Sequence, residues 1–367
     1  MVRISGRATA DGTKRFRDRS AGKGRLPEDH FRSAPGGLQL SSIGLGTYLG
    51  APDASTDLSV EEAVRLCSRS GRVNVFDTAI NYRFQRAERS VGRALHRTID
   101  QGETARDEVF IATKNGYLAP DAESPIPLER YIETELVKKG RLRPSDIVDG
   151  SHAMSVPFLK DQFERSRENL GVETIDLLYL HNAADAQLPV VGRAEFLRRL
   201  GLAFELFEAF RSAGAITSYG LATWDSLRTS RSEPSYLSVE ELVGAARRAG
   251  GPEHGLRYLQ FPFNLAMPEA AVLKNQPFDG GRHTLFEAAA HFGLGCFTSV
   301  PLFQGRLADD GPTMAGLSRA QTAVQFARSA PGTLAPLIGQ KTPEHLSENL
   351  QVAELPPWDP ARFHSLL

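Results

Sequence analysis

The sequence predicts a (β/α)8 TIM barrel, a single-domain α/β fold with long loops at the C-terminal face. Eight short apolar segments alternate with amphipathic stretches between residues 38 and 350. The segments are apolar throughout, which is typical of parallel strands covered on both faces. Eight strands followed by eight helices is the element count of this barrel. The predicted strands are residues 42–46, 73–77, 109–113, 175–180, 216–221, 258–261, 295–299 and 334–338.

The stretches between the strands carry helix start and stop signals. Residues 60–70 end before Gly71, and residues 197–213 repeat Leu and Phe at spacings of three and four. Thr342 precedes Pro343, which is the pattern of a capped first turn. Further helices are predicted over residues 86–95, from residue 318 through 326, and from residue 343 through 350.

A doubly wound open sheet is the alternative fold. That fold usually has a glycine-rich turn after its first strand, and the nearest candidate is Gly44-Leu-Gly46-Thr-Tyr-Leu-Gly50. Its spacing is wrong for a dinucleotide fingerprint, and no acidic residue stands at the expected place. The barrel is therefore preferred, and its long insertions at residues 115–156 and 181–196 are expected over the active face.

Three regions are expected along the chain. Residues 1–37 form a basic N-terminal extension, residues 38–350 the barrel, and residues 351–367 a C-terminal tail. Residues 1–36 carry an excess of five positive charges, which leaves −6 of the net charge of −1 for the rest. We interpret this basic arm as a solvated extension, with a partner-binding element as the alternative.

Composition excludes several classes of protein. The balance of 43 Lys and Arg against 44 Asp and Glu argues against binding nucleic acid or an anionic membrane. No apolar run approaches a bilayer span, and the N-terminus lacks the apolar segment of a secretory signal. Cys67 and Cys296 are too few for a disulfide framework or a thiolate metal site. A cytoplasmic protein acting on small molecules is expected.

Polar residues follow three neighbouring strands of the predicted barrel. Asp77 ends the second strand and Tyr82 follows it, while Lys114 and His181 come directly after the third and fourth. Each residue alone has a structural interpretation, as a cap, a loop residue or a rim hydrogen-bonding group. Together, at adjacent strand ends, they predict one catalytic site.

These four side chains suit proton transfer to an oxygen. A tyrosine hydroxyl is a weak acid at neutral pH, and a neighbouring Lys114 ammonium held by Asp77 is expected to lower the pKa of Tyr82. His181 is expected to donate a second hydrogen bond to the same oxygen. No metal cluster, cysteine nucleophile or GxSxG motif accompanies them, so hydride transfer from a nicotinamide is the natural complement.

Six motifs carry a family resemblance: GLGTY at 44–48, FDTAINY at 76–82, ATK at 112–114, LLYLH at 177–181, VPLFQGRL at 300–307 and LIGQKTPEHLSENL at 337–350. In this order, over about residues 39–350, the chain resembles the aldo-keto reductase family. Its longer loops resemble the branch of potassium-channel beta subunits and microbial reductases more than the mammalian aldose reductases.

The resemblance implies NADPH bound across the strand ends, with NADH less favoured, and no metal. It implies Tyr82 as general acid, Lys114 and Asp77 as the groups that tune it, and His181 as the group that orients the carbonyl. Tyr48 and Trp224 are candidates for the substrate pocket, and packing under the adjacent loop is the alternative interpretation of Trp224. The implied cofactor contacts are Gly46, Thr47, Tyr48, Asp77, Thr223, Gln260, Ser299, Pro301, Leu302, Gln304, Gly305, Leu307, Gly339, Lys341, Thr342, His345, Glu348 and Asn349.

The chain departs from the family pattern at two places. Ala222-Thr223 stands where the family usually has Ser-Asn, and Ser299 stands where an aromatic commonly stacks on the nicotinamide. The leading hypothesis is an NADPH-dependent reductase of aldehydes or ketones. The alternative is an NADPH-binding regulatory or scaffold subunit with little turnover. A metal-dependent barrel hydrolase or isomerase is a weaker third, because the other histidines do not fall at strand ends in sets.

Overall fold

Eight parallel strands form a closed barrel in a computed structural model, which describes residues 3–21, 26–314, 316–340 and 342–367. Twelve strands occur in the described residues: β1 Phe31–Ala34, β2 Leu38–Ser41, β3 Gly44–Gly46, β4 Val75–Asp77, β5 Phe110–Asn115, β6 Ile175–His181, β7 Ile216–Ala222, β8 Leu256–Pro262, β9 Gln276–Phe278, β10 Gly281–His283, β11 Gly295–Ser299 and β12 Thr333–Gly339. The barrel order is β3 to β8, then β11 and β12, which pairs again with β3. The predicted fold is confirmed, and each of the eight predicted segments overlaps one barrel strand.

Helices occupy the connections between the strands. In the described residues they are α1 Ala10–Ala21, α2 Ala54–Ser70, α3 Arg86–Asp100, α4 Leu128–Tyr131, α5 Val156–Leu170, α6 Ala183–Val191, α7 Arg193–Ser212, α8 Val239–Gly250, α9 Glu269–Val272, α10 Leu285–His291, α11 Arg306–Asp310, α12 Arg319–Ser329, α13 Pro343–Val352 and α14 Pro360–His364. Two of the predicted helix start and stop signals lie at helix ends in the structure. Gly71 ends α2 at φ 71°, a conformation that costs glycine little, and Thr342 caps α13. No helix of the described residues is long and apolar enough to cross a membrane.

The N-terminal region is packed, so its interpretation as a solvated extension is wrong for the described residues. The side chain of Phe16 in α1 is fully buried, and Ala8 donates its backbone N–H to Asp176 Oδ1 at 2.7 Å. The β1–β2 hairpin places Leu38 and Leu40 against the core inside the barrel. The basic residues mostly pair: Arg19, for example, forms a bidentate ion pair with Glu108 before β5. These contacts cover the N-terminal end of the barrel.

The C-terminal residues also pack against the barrel. Phe363 of α14 is fully buried and stacks on Phe326 of α12, with ring centroids 5.2 Å apart. The Arg328 guanidinium is buried and donates to the carbonyls of Val352 and Leu355, at 2.8 and 2.7 Å. Because a buried guanidinium needs its donors satisfied, these bonds fasten the segment after α13 to the barrel.

Candidate active site

The four predicted catalytic residues converge at the C-terminal rim of the barrel. Asp77 and His181 are the last residues of β4 and β6, and Lys114 is the penultimate residue of β5. The register pairs Asp77 with Ala112, two residues before Lys114, and Lys114 with Tyr179, two residues before His181, so each strand of the three extends further than the one before it. Tyr82 follows in the turn between β4 and α3. The sequence prediction that these side chains share one rim agrees with this arrangement.

A buried ion pair lies at the base of the site. Lys114 Nζ donates to Asp77 Oδ1 at 2.5 Å and to the Thr78 carbonyl at 2.9 Å. Gln260 Nε2 donates to the other carboxylate oxygen of Asp77 at 3.0 Å. Burial lowers the pKa of Lys114 and raises the pKa of Asp77, and their mutual attraction opposes both shifts. The pair is thus shielded from water and held in one geometry.

The Tyr82 ring lies under the ammonium of this pair. Lys114 Nζ is 4.7 Å from the ring centroid, and the rings of Tyr48 and His181 contact Tyr82 edge-on at 5.0 and 5.7 Å. The expected net lowering of the Tyr82 pKa by Lys114 is not found in this structure, because other effects outweigh the ammonium. Burial, followed by the charge of Asp77, raises that pKa well above 10. Tyr82 therefore keeps its proton at neutral pH, as a proton donor must.

His181 is held at its ring and at its backbone. Its Nδ1 lies 3.2 Å from Asn81 Oδ1, and its carbonyl oxygen accepts a hydrogen bond from His152 Nε2 at 2.8 Å. The ring also meets Tyr117 edge-on, with centroids 5.1 Å apart. Burial, with a smaller effect of the Lys114 charge, lowers the pKa of His181 well below 6.5. The imidazole is therefore neutral over the physiological pH range.

One cavity of about 730 Å³ joins these groups to the predicted cofactor residues. The predicted residues that line it are Gly46, Thr47, Tyr48, Asp77, Tyr82, His181, Thr223, Trp224, Gln260, Ser299, Pro301, Leu302, Gln304, Gly305, Gly339, Thr342, His345, Glu348 and Asn349. Lys114 is sealed beneath it, with no exposed surface. Leu307 does not line the cavity, and its backbone N–H instead donates to the Leu302 carbonyl. Lys341 lies outside the described residues.

The predicted cofactor residues offer free polar groups to a ligand. Thr223 Oγ1 and Asn349 Oδ1 are buried without a hydrogen-bond partner in the described part of the chain, and both residues line the cavity. Gly305, at φ 97°, has open space where a side chain would begin. Thr342 at the N-terminus of the ten-residue helix α13 also faces the cavity, where backbone N–H groups favour an anion. These features fit a long polar ligand that carries phosphate.

Sequence reasoning missed three polar residues of the cavity. Asn81, Tyr117 and Asn182 all line it beside His181, and Asn182 Nδ2 donates to the Tyr117 hydroxyl at 3.2 Å. The available signal was their distance along the chain from predicted residues. Asn81 comes directly before Tyr82, Tyr117 three residues after Lys114, and Asn182 directly after His181. Within the described ranges, no group of three or more His, Cys, Asp or Glu side chains is arranged to hold a metal ion.

Comparisons with known proteins identify the family of the chain. A sequence profile of the Aldo/keto reductase family matches residues 42–236. An aldo/keto reductase of Klebsiella pneumoniae, solved with NADP and acetate, has 18% identity over 92% of this chain and 94% of its own, with a TM-score of 0.60. The holo form of aldo-keto reductase AKR11C1 of Bacillus halodurans has 17% identity over the same shares and a TM-score of 0.60. No curated protein sequence matches. Since the profile spans more than half of the chain, the protein belongs to the aldo/keto reductase family.

Proposed function

We propose that the protein is an NADPH-dependent oxidoreductase that reduces an aldehyde or ketone to an alcohol. The observation that carries the proposal is the buried Asp77–Lys114 pair under the Tyr82 ring, beside a neutral His181, at one end of a cavity. Membership of the aldo/keto reductase family supports the reaction class. The Klebsiella pneumoniae aldo-keto reductase solved with NADPH (18% identity, TM-score 0.57) supports the cofactor.

The far part of the cavity would hold the nucleotide. Gly305 and Gly339 let the backbone approach its phosphates, and the N-terminus of α13 at Thr342 attracts their charge. Asn349 would satisfy its free oxygen on the adenine, and Gln260 and Thr223 face the nicotinamide end. A preference for NADPH over NADH is proposed from Lys341, with His345 as a helper. When bound, NADPH supplies the hydride.

The chain's own residues supply the proton and fix the carbonyl. Tyr82 holds a proton through its raised pKa and delivers it to the carbonyl oxygen as negative charge develops there. Lys114, fixed by Asp77, then stabilises the phenolate that remains, since an ammonium at the ring favours the anion. His181 hydrogen-bonds the same oxygen and holds the carbonyl against Tyr82.

Aromatic side chains border the substrate end of the cavity. Tyr48 and Trp224 are 54% and 38% exposed, so both present ring surface to an incoming molecule. Asp185 of α6 fixes the Trp224 loop by accepting the backbone N–H groups of Trp224, Asp225 and Ser226, at 3.1, 2.7 and 2.9 Å. We infer that flat or apolar parts of the carbonyl substrate pack between these rings.

Substitution of Tyr82 by Phe tests the proposal. Tyr82→Phe should abolish carbonyl-dependent NADPH oxidation, followed by absorbance, while NADPH binding, followed by fluorescence, stays within about threefold. Tyr131→Phe makes the same change at a buried tyrosine that does not line the cavity and should leave turnover unchanged. Unchanged turnover in Tyr82→Phe would contradict the mechanism. NADPH binding by the unmodified protein without turnover on any carbonyl tested would favour the regulatory or scaffold subunit.

Two finer statements are part of the proposal. We propose that the chain is nearer the branch of the potassium-channel beta subunits and microbial reductases than the mammalian aldose reductases, a resemblance that its longer loops support. A cytoplasmic location is also part of the proposal.

A further inference from the structure

The two ring nitrogens of His181 have different surroundings. Nδ1 lies 3.2 Å from Asn81 Oδ1, whereas Nε2 has no hydrogen-bond partner in the described part of the chain, and the residue lines the cavity. The hydrogen bond from His152 Nε2 to the His181 carbonyl anchors the backbone, and His152 Nδ1 is itself held by Gln187 Nε2 at 3.0 Å. The difference between the two nitrogens therefore depends on the Asn81 side chain.

A neutral imidazole carries one proton, so its partners decide which nitrogen has it. The pKa of His181 is held well below 6.5 by burial, and the titratable groups that face it are Lys114, His152, Tyr82 and Tyr117. A carboxamide oxygen at Nδ1 requires a proton on Nδ1. Nε2 then presents a lone pair to the cavity, which accepts a hydrogen bond from a hydroxyl but cannot donate one to a carbonyl oxygen.

We propose that Asn81 is a positioning residue that sets the tautomer of His181. Its carboxamide rotates so that the oxygen faces Nδ1 when an alcohol is bound and the nitrogen faces Nδ1 when a carbonyl is bound. With the amide oxygen toward Nδ1, Nε2 accepts the O–H of an alcohol. With the amide nitrogen toward Nδ1, Nε2–H donates to a carbonyl oxygen. The exchange releases one proton from Nδ1 to water and takes one from water at Nε2, so the charge is unchanged.

The surroundings of Asn81 permit this turn. Asn81 is half-buried and lines the cavity, and its amide nitrogen makes no hydrogen bond within the described residues. Turning the amide therefore breaks only the contact with Nδ1, which the amide nitrogen then restores as a donor. The assignment to a carbonyl and an alcohol rests on the proposed function, whereas the tautomer of the free protein does not.

Two substitutions at Asn81 separate the states. In Asn81→Asp a carboxylate faces Nδ1 and raises the pKa of His181, because it favours the imidazolium. Because a carboxylate only accepts hydrogen bonds, neutral His181 then keeps its proton on Nδ1, and Nε2 cannot donate to the carbonyl. Reduction therefore depends on the imidazolium, whose Nε2 carries a proton. The kcat/KM for the carbonyl should fall as pH rises through the raised pKa, a limb that the unmodified protein lacks. In Asn81→Leu nothing holds the proton on Nδ1, and KM for the carbonyl should fall by up to about tenfold, the range of one hydrogen bond.

Nitrogen NMR of the protein labelled with ¹⁵N-histidine reads the tautomer directly. The His181 signals are assigned as those absent from His181→Gln. We expect a protonated Nδ1 and an unprotonated Nε2 in the free protein, and a shift of the proton toward Nε2 in Asn81→Leu. Asn182→Gly removes a carboxamide from the same cavity without touching the imidazole and keeps the positive φ of 47°, so the tautomer should not change.

Two results would overturn the proposal. One is a proton on Nε2 of His181 in the free protein and in Asn81→Leu alike. The other is an Asn81→Asp protein whose kcat/KM has the pH profile of the unmodified protein. Because the NMR measurement uses neither substrate nor NADPH, its failure is distinct from a failure of the proposed reaction, which the Tyr82→Phe assay decides.

Discussion

Removing both partners of the Asp77–Lys114 pair should cost clearly less than the sum of the costs of removing each one alone. In Lys114→Met a carboxylate with 4% exposure keeps Gln260 as its side-chain donor, while in Asp77→Asn the ammonium keeps the Thr78 carbonyl. A buried charge that loses its partner costs about 3–5 kcal/mol of unfolding free energy. We expect a loss of that size for Lys114→Met and the lower end of that range for Asp77→Asn.

The magnitude follows from two opposing contributions. At the observed N···O distance of 2.5 Å, unit charges attract by roughly 7 kcal/mol at an effective dielectric constant of 20. Desolvation of each ion opposes this by several kcal/mol, so the pair is close to neutral overall. The double variant therefore removes an attraction and two desolvation costs together. It should lose at least 2 kcal/mol less than the sum of the single losses.

Urea unfolding of the four proteins, followed by fluorescence at one pH, measures this coupling. Additive losses would refute the argument, because they would mean that each charge is solvated independently of the other. Turnover gives a second readout. All three variants should lose carbonyl reduction, since none retains the fixed ammonium 4.7 Å from the Tyr82 ring centroid.

Three further predictions follow from local features. Burial lowers the pKa of His152 from 6.5 to about 4. The contribution of neutral His152 to the free energy of unfolding is therefore complete above pH 6.5, and about 3 kcal/mol of it is lost as pH falls to 4. The free energy of unfolding of His152→Gln should depend less steeply on pH over this range. Asp185→Ala should raise KM for bulky carbonyls about tenfold with NADPH affinity unchanged, because the Trp224 loop loses three hydrogen bonds; unchanged KM values would contradict this. Phe84, exposed at φ 53°, should gain about 1 kcal/mol of unfolding free energy as Phe84→Gly and lose stability as Phe84→Val, measured by urea unfolding.

The barrel strands were predictable because each is covered on both faces. A strand such as β6 is buried at every position, so its sequence, Ile-Asp-Leu-Leu-Tyr-Leu-His, has few polar interruptions. The ends of strands were less predictable. β3 and β4 begin two residues later than the apolar runs do, because residues such as Asn74 are buried in side-chain hydrogen bonds before the ladder begins.

The N-terminal region misled sequence reasoning because its composition does not reveal its partners. Arg15 and Arg19 look solvated in sequence, yet they pair with Asp107 and Glu108, about 90 residues away. A hydrogen bond from Arg106 to Asp176 Oδ2 at 2.8 Å continues this cluster into the barrel. A charge count along the chain does not register pairs of such separation, so the arm appeared as a basic excess.

The proposed catalytic residues and the neighbours that sequence reasoning missed differ in how they depend on the fold. Asp77, Lys114 and His181 lie at or beside the ends of neighbouring strands, so the closed parallel barrel brings them to one rim. Asn81 and Tyr117 lie in the turns that follow, and their contacts with His181 depend on backbone conformations that no periodic pattern encodes. The ion pair follows from the sheet, whereas the position of Tyr82 and the state of the imidazole follow from the loops. In the proposed reaction, substrate choice and the hydrogen bonding of His181 therefore depend on the part of the rim that sequence periodicity describes least.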